Sequence, residues 1–132
     1  HFHQNEISKL EKIKMINNLI ANHEEKIANK LLDFIRTKKK IKLIGKNMIK
    51  NRNRAPTISF VVDGISSKNI SNSLVRNGIA IRNDNFYAWR CLQALGIDTG
   101  DGVVRVSMVH YNSMDDVDRL INAFEKSNIL VK

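Results

Sequence analysis

Apolar residues recur at three- and four-residue steps from about residue 6 to residue 37. Ile13, Ile16, Ile20, Ile27, Leu31 and Phe34 mark one stripe, and Leu10, Leu19 and Ile35 widen it. That spacing lines up one side of an α-helix. No glycine or proline interrupts the run, so the pattern predicts a single helix of roughly 30 residues, about 45 Å long at 1.5 Å per residue. Such a helix is longer than a small domain is wide. Its N-terminal half is therefore expected to pack on something this chain lacks, or on a second copy. A coiled-coil seam is the weaker reading, because Asn17, Asn18, Asn22 and Asn29 break the stripe.

Beyond residue 40 the pattern shortens to strands and short helices. Ile41 to Ile44 reads as a strand stopped by Gly45, and 46–54 as a polar, charged linker. Pro56 introduces the β-branched run Thr57 to Val62, which Asp63-Gly64 ends. Ser66 or Ser67 then caps a helix running to about Arg76, with Ile70 and Leu74 inward and Gly78 beyond its C-terminus. Residues 79–81 read as a third short strand with Arg82 at its end, 83–87 as a polar-aromatic loop, and 88–95 as a short helix closed by Gly96. A turn at 98–102 leads into a strand of β-formers (Val103, Val104, Val106, Met108, Val109) that carries Arg105. A final helix covers 113–127. Asn112 or Ser113 caps it, Asp115, Asp116 and Asp118 supply the negative first turn that the helix dipole favours, and Val117, Leu120, Ile121 and Phe124 form its apolar face. The order predicts an α/β (α+β) two-layer sandwich: a small, mostly antiparallel sheet of three or four strands with helices on one face, preceded by the long helix. Residues 1–40 form the leading, connecting helix of this scheme, and 41–132 the small domain.

Composition narrows the picture in three ways. The 132 residues suffice for one domain or a piece of one, and the start at His1-Phe2-His3 without an initiator methionine reads as a tag remnant, a trimmed end or an excised fragment, so the chain is expected to be incomplete at its N-terminus. The net charge of +9 is unevenly spread: residues 1–54 hold 14 Lys and Arg against 5 Asp and Glu, while 55–132 hold 8 of each. The run Lys38-Lys39-Lys40, with Lys42, Lys46, Lys50, Arg52 and Arg54, has the charge to meet phosphates. It has no aromatic residue to stack on bases, however, and Ile, Asn and Lys are abundant along the whole chain, so nucleic acid is disfavoured as a partner. No run of about 18 apolar residues and no signal peptide is present, which argues against a membrane span. The single Cys91 fits a reducing, cytoplasmic setting. It is expected at an inner or half-buried position of its short helix, as a small core residue.

No metal site is expected, since His23 and His110 lack partners at ligand spacing, and neither a Gly-rich phosphate loop nor a nucleophile-base-acid set is legible. The informative residue is Arg105. A guanidinium stays charged, and removing it from water without a partner costs several kcal/mol, roughly. Arg105 therefore either pairs with a carboxylate inside the protein or points at an anion supplied from outside.

Four segments sharpen that choice: Arg54-Ala-Pro-Thr-Ile-Ser-Phe60, Gly78-Ile-Ala-Ile-Arg82, Asn85-Phe-Tyr-Ala88, and Gly102-Val-Val-Arg-Val-Ser-Met-Val-His-Tyr-Asn-Ser113 followed by Asp116-Val-Asp-Arg-Leu120. Together they resemble the C-terminal small domain of the class V aminotransferase family, its cysteine desulfurase-like and selenocysteine lyase-like members above all. The likeness covers nearly the whole chain, because 20–34 resembles the helix leading from the large domain into the small one. It implies a piece of a pyridoxal 5'-phosphate enzyme of fold type I, homodimeric in full length, acting on a small amino acid. It also implies that Arg105 binds the substrate α-carboxylate, with Arg82 lining the same site and Asn85, Phe86 and Tyr87 facing the substrate side chain. A planar five-donor fork suits such a grip. The family's persulfide-forming cysteine falls at Tyr87, and its role does not transfer to Cys91. The cofactor-binding lysine and phosphate cup belong to a large domain absent from this chain, so no catalytic or cofactor-binding residue is expected here and the isolated chain should be inactive. The rival reading is a stand-alone basic module that binds nucleic acid or an acidic partner without catalysis.

Overall fold

A computed structural model describes residues 7–50, 52–127 and 129. The leading helix, α1, spans Lys9–Arg36. It begins where a reciprocal cap forms: the Ser8 hydroxyl accepts the Glu11 amide while the Glu11 carboxylate accepts the Ser8 amide (2.9 Å), which satisfies two donors that the helix cannot. The expected start at residue 6 lies outside the described residues. The strands β1 (Ile41–Ile44) and β2 (Thr57–Val62) fall on the two β-branched runs. Helix α2 (Ser67–Arg76) is capped by Ser66, α3 is the short helix Trp89–Ala94, β4 is Val103–Ser107 and α4 is Met114–Lys126.

The third strand departs from expectation. β3 is Arg82–Asp84, not 79–81. After α2 the backbone turns through Gly78 at φ +75°, and the Ile79 amide donates back to the Leu74 carbonyl (3.1 Å), a closure that only a left-handed residue permits. The Ser71 hydroxyl then donates to the Ile81 carbonyl (3.3 Å). Residues 79–81 are thus tied to α2, and pairing with β4 starts only at Arg82. Where the two segments part, a cavity of about 240 Å³ opens between Gly78, Ala80, Ser107, Asn112, Asp116 and Arg119.

The four strands form an antiparallel sheet in the order β1-β2-β4-β3. Ile58, Phe60, Val62, Val104 and Val106 point to one face and meet Ile27, Leu31, Leu32 and Ile35 of α1, Ile70 and Leu74 of α2, and Val117, Leu120 and Phe124 of α4. The three long helices therefore share one face, as the sequence predicts. The period-2 alternation sends the neighbouring residues to the opposite face, where α3 and the segment after it cover only part of the sheet through Leu92 and Ile97, packed with Val103. The rest of that face stays open. Helix α1 is buried only in its C-terminal half; Leu10, Ile13, Met15, Ile16 and Leu19 are exposed.

Asn29 and His23 are among the side chains that tie α1 to the rest of the chain. Asn29 donates through Nδ2 to the Ile49 carbonyl (2.9 Å) and accepts the Ile49 amide on Oδ1 (2.7 Å). His23 Nε2 donates to the Asn112 carbonyl (2.7 Å) and ties the helix to the turn after β4; a carbonyl only accepts, so Nε2 carries the hydrogen.

Candidate functional site

The open face of the sheet gathers the chain's unusual residues. Directly opposite residues of antiparallel strands share a face, with Cβ atoms roughly 5 Å apart. Arg105 of β4 stands opposite Ser59 of β2 on one side and Arg82 of β3 on the other. Two arginine stems therefore rise side by side. No carboxylate of the described residues neutralises either of them: the ion pairs among those residues are Lys30 with Asp118 (2.5 Å), Arg36 with Asp33, Lys38 with Glu125 (3.6 Å) and Arg119 with Asp116 (3.9 Å). Among the described residues, therefore, Arg105 has no internal carboxylate partner. Arg105 is half-buried on the open side rather than sealed in the core, and no buried side-chain nitrogen or oxygen among the described residues lacks a partner. Contact with water keeps the cost of the unpaired charge below that of a fully buried ion.

The loop between β3 and α3 closes one side of this site. Phe86 places its ring beneath Arg105, with the guanidinium carbon 3.7 Å from the ring centroid. The same ring packs on the small cluster of Leu92, Ile97 and Val103. Phe86 and Tyr87 both adopt left-handed backbone, at φ 51° and 60°, a conformation that costs a non-glycine residue on the order of 1 kcal/mol or more. Asn85 braces the turn: its Oδ1 accepts the Tyr87 amide (3.0 Å), its carbonyl accepts the Ala88 amide (2.9 Å), and its own amide donates to Asp84 Oδ1 (2.7 Å).

The other strand fixes the loop from below. Gly102 runs so close to β3 that a Cβ there would stand 2.3 Å from the Asp84 carbonyl carbon and 2.7 Å from the Asn85 nitrogen, and its φ is +71°. One residue earlier, the Asp101 carboxylate accepts the Ser67 amide at the start of α2 (2.8 and 3.0 Å), and Ser67 Oγ donates to the Asp101 carbonyl (2.5 Å). Asn83 Nδ2 completes the joint by donating to Ser67 Oγ (3.3 Å).

The structure thus brings together three of the five residues singled out from the sequence, Arg105, Arg82 and Phe86. Asn85 shapes the loop with its amide oxygen already engaged, and Tyr87 is fully exposed to solvent. Sequence reasoning missed Gly102 and Asp101. A glycine opening a strand directly after an aspartate was their only signal, and it is a weak one. Cys91, expected at an inner or half-buried position, is exposed, because the six residues of α3 bury only Leu92. Much of the basic segment is occupied within the chain: Arg54 donates to the carbonyls of Lys46 and Thr57, Arg52 to Asn18 Oδ1, and Lys42 to the Leu95 carbonyl (3.3 Å). Partial burial pushes the pKa of Arg54 below its ordinary value. At the start of α4, the hydrogen bond from the Ser113 backbone amide holds the Asp116 carboxyl below the usual aspartate range against weaker desolvation, with smaller help from Asn112, Ser113 and Arg119.

The four-stranded antiparallel sheet with three long helices on one face is a fold that this chain shares with solved cysteine desulfurases. The chain superposes on the apo cysteine desulfurase of Thermococcus onnurineus with a TM-score of 0.71 at 24% identity, covering 83% of this chain and 26% of that one. It superposes on the Escherichia coli cysteine desulfurase CsdA with a TM-score of 0.68 at 23% identity, covering 80% and 24%. The model of the aminotransferase class-V family matches residues 6–120, and the chain belongs to that family. Among curated relatives, the aminotransferase-like protein FGM3 of Gibberella zeae is 36% identical over 107 residues, which is 80% of this chain and 27% of that protein. A probable cysteine desulfurase of Pseudomonas putida is 28% identical over 113 residues, 86% and 26% of the two chains. The chain spans about a quarter of the length of the relatives it matches.

Proposed function

We propose that this chain is the small domain of a pyridoxal 5'-phosphate enzyme acting on a small amino acid, and that Arg105 grips the substrate α-carboxylate. The observation that carries this reading is an arginine with no carboxylate partner among the described residues, held on the open face directly opposite a second arginine. Like charges so placed repel, and an incoming anion relieves the repulsion. A bidentate guanidinium–carboxylate pair also fixes the orientation of the bond to be broken at Cα. Arg82 adds positive field from the adjacent strand, and the loop of Asn85, Phe86 and Tyr87 lies beside the clamp, on the side of the substrate side chain.

The cofactor supplies an electron sink for the carbanion when bound. The residues described here do not suit it: the open face offers guanidinium donors, which do not form the imine that a lysine amine forms with its aldehyde. Lys42, which shares that face by register with Val61, donates to Leu95 instead. In this reading the cofactor sits in a large domain of a longer protein, and a homodimer is its assembly. The reaction is an elimination, desulfuration or transamination at the substrate. Tyr87, where a desulfurase cysteine would stand by the family resemblance, and an exposed Cys91 on another element favour the first and last of these over desulfuration through a loop thiol.

In the full-length protein, Arg105→Ala should lower kcat/KM for the amino acid by a hundredfold or more, on the order of the 3 kcal/mol carried by a charge-assisted bidentate pair, while cofactor absorbance is unchanged. Unaltered kcat/KM would overturn the assignment.

A further inference from the structure

The clamp needs its fork held at a fixed angle, and nothing polar among the described residues holds it. Arg105 makes no ion pair among the described residues, and a long, unanchored arginine stem is spread over many rotamers. What does touch the guanidinium is the face of Phe86, 3.7 Å away. From this geometry we infer that Phe86 is a positioning residue: it acts on the substrate through Arg105, by stacking under the guanidinium and leaving the outward N–H edge free for a carboxylate. This rests on the reading of Arg105 as the carboxylate clamp, and it gives Phe86 a role other than contact with the substrate side chain.

Three independent features aim the ring. The left-handed φ of Phe86 and of Tyr87 turns the chain back toward β4 at a cost that some other interaction must offset. The Asn85 side chain ties the turn from within. Phe86 packs against the cluster of Leu92, Ile97 and Val103, which backs the ring from the sheet side. A stacked aromatic face attracts the cation without consuming any of its five donors. A carboxylate in the same place would have neutralised the charge and closed the site.

The test replaces Phe86 in the full-length protein with phenylalanines bearing one, two and three ring fluorines, which weaken the π-face while keeping shape and burial. Two quantities are read. The first is the order of the Arg105 Nε–Hε bond from ¹⁵N relaxation, and the second is the dissociation constant for acetate, followed at the same nucleus. Stepwise loss of order with each fluorine, and acetate affinity falling about three- to tenfold across the series, is the expected result. Phe86→Leu should match the end of that series and Phe86→Tyr should restore both readouts. Order and affinity that stay flat along the fluorine series would overturn the positioning role, since a ring that merely fills space does not respond to its own electronics. If acetate leaves Arg105 undisturbed in the unsubstituted protein, the clamp reading fails; the relaxation arm still decides whether Phe86 holds the guanidinium.

Discussion

At Asn29 one side chain stands in for a strand edge. Its amide meets both the N–H and the C=O of Ile49, as a paired backbone would, and so lets a linker segment enter the core with Ile49 only 3% exposed. Truncation leaves both backbone groups without partners. Asn29→Ala should therefore cost about 2 kcal/mol of unfolding free energy in urea melts, with Asn29→Asp costing similarly because it restores the acceptor but not the donor. Gly102 is constrained by sterics instead. Backbone atoms of Asp84 and Asn85 occupy the space of a Cβ, and backbone does not yield as a side-chain tip does. Gly102→Ala is predicted to destabilise the chain by about 2 kcal/mol and to shift the Asn85 and Phe86 amide resonances, which report the displaced loop.

At the scale of elements, α4 depends on a reciprocal cap whose strength is set by pH. The Ser113 hydroxyl accepts the Asp116 amide (3.1 Å) and the Asp116 carboxylate accepts the Ser113 amide (2.9 Å). The folded pKa of Asp116 lies below its unfolded value, so its stabilising effect is complete above the ordinary aspartate range and is lost as pH falls through the folded value. Thermal melts of Asp116→Asn should fall below those of the unsubstituted chain at neutral pH, and the gap should close on acidification through the aspartate range. A gap independent of pH would mean that the carboxylate is not the capping group.

How far the sequence reveals the elements follows from how local their causes are. β2 and the start of β4 rest on neighbours within a few residues and fall where the pattern puts them, the caps settle on Ser66 and Ser113, each one of two candidates, and β4 ends at Ser107, short of Met108 and Val109. Residues 79–81 have strand composition but are captured by α2 through Ser71 and Leu74, contacts that hydrophobic period does not encode. The same division runs through the site. Arg105 stands out as a charge among β-formers, and its family motif points to it, whereas the stacking of Phe86 and the close approach at Gly102 come from pairing β3 with β4 in one register. A shift of one residue would send every side chain of β3 to the other face.

For the molecule as a whole, the juxtaposition of Arg82 and Arg105 has a thermodynamic consequence that needs neither substrate nor cofactor. Two facing cations on one rung of the sheet store repulsion that mobile anions screen, over a Debye length of about 10 Å at 0.1 M salt. Added sodium chloride should therefore raise the melting temperature of the chain. The net charge of +9 contributes to that slope as well, and a matched pair of variants separates the two. Arg82→Gln should flatten the salt dependence more than Lys68→Gln, which removes the same charge from the exposed start of α2. Ionic strength thus becomes a gauge of how strongly the empty sheet face calls for a counter-charge.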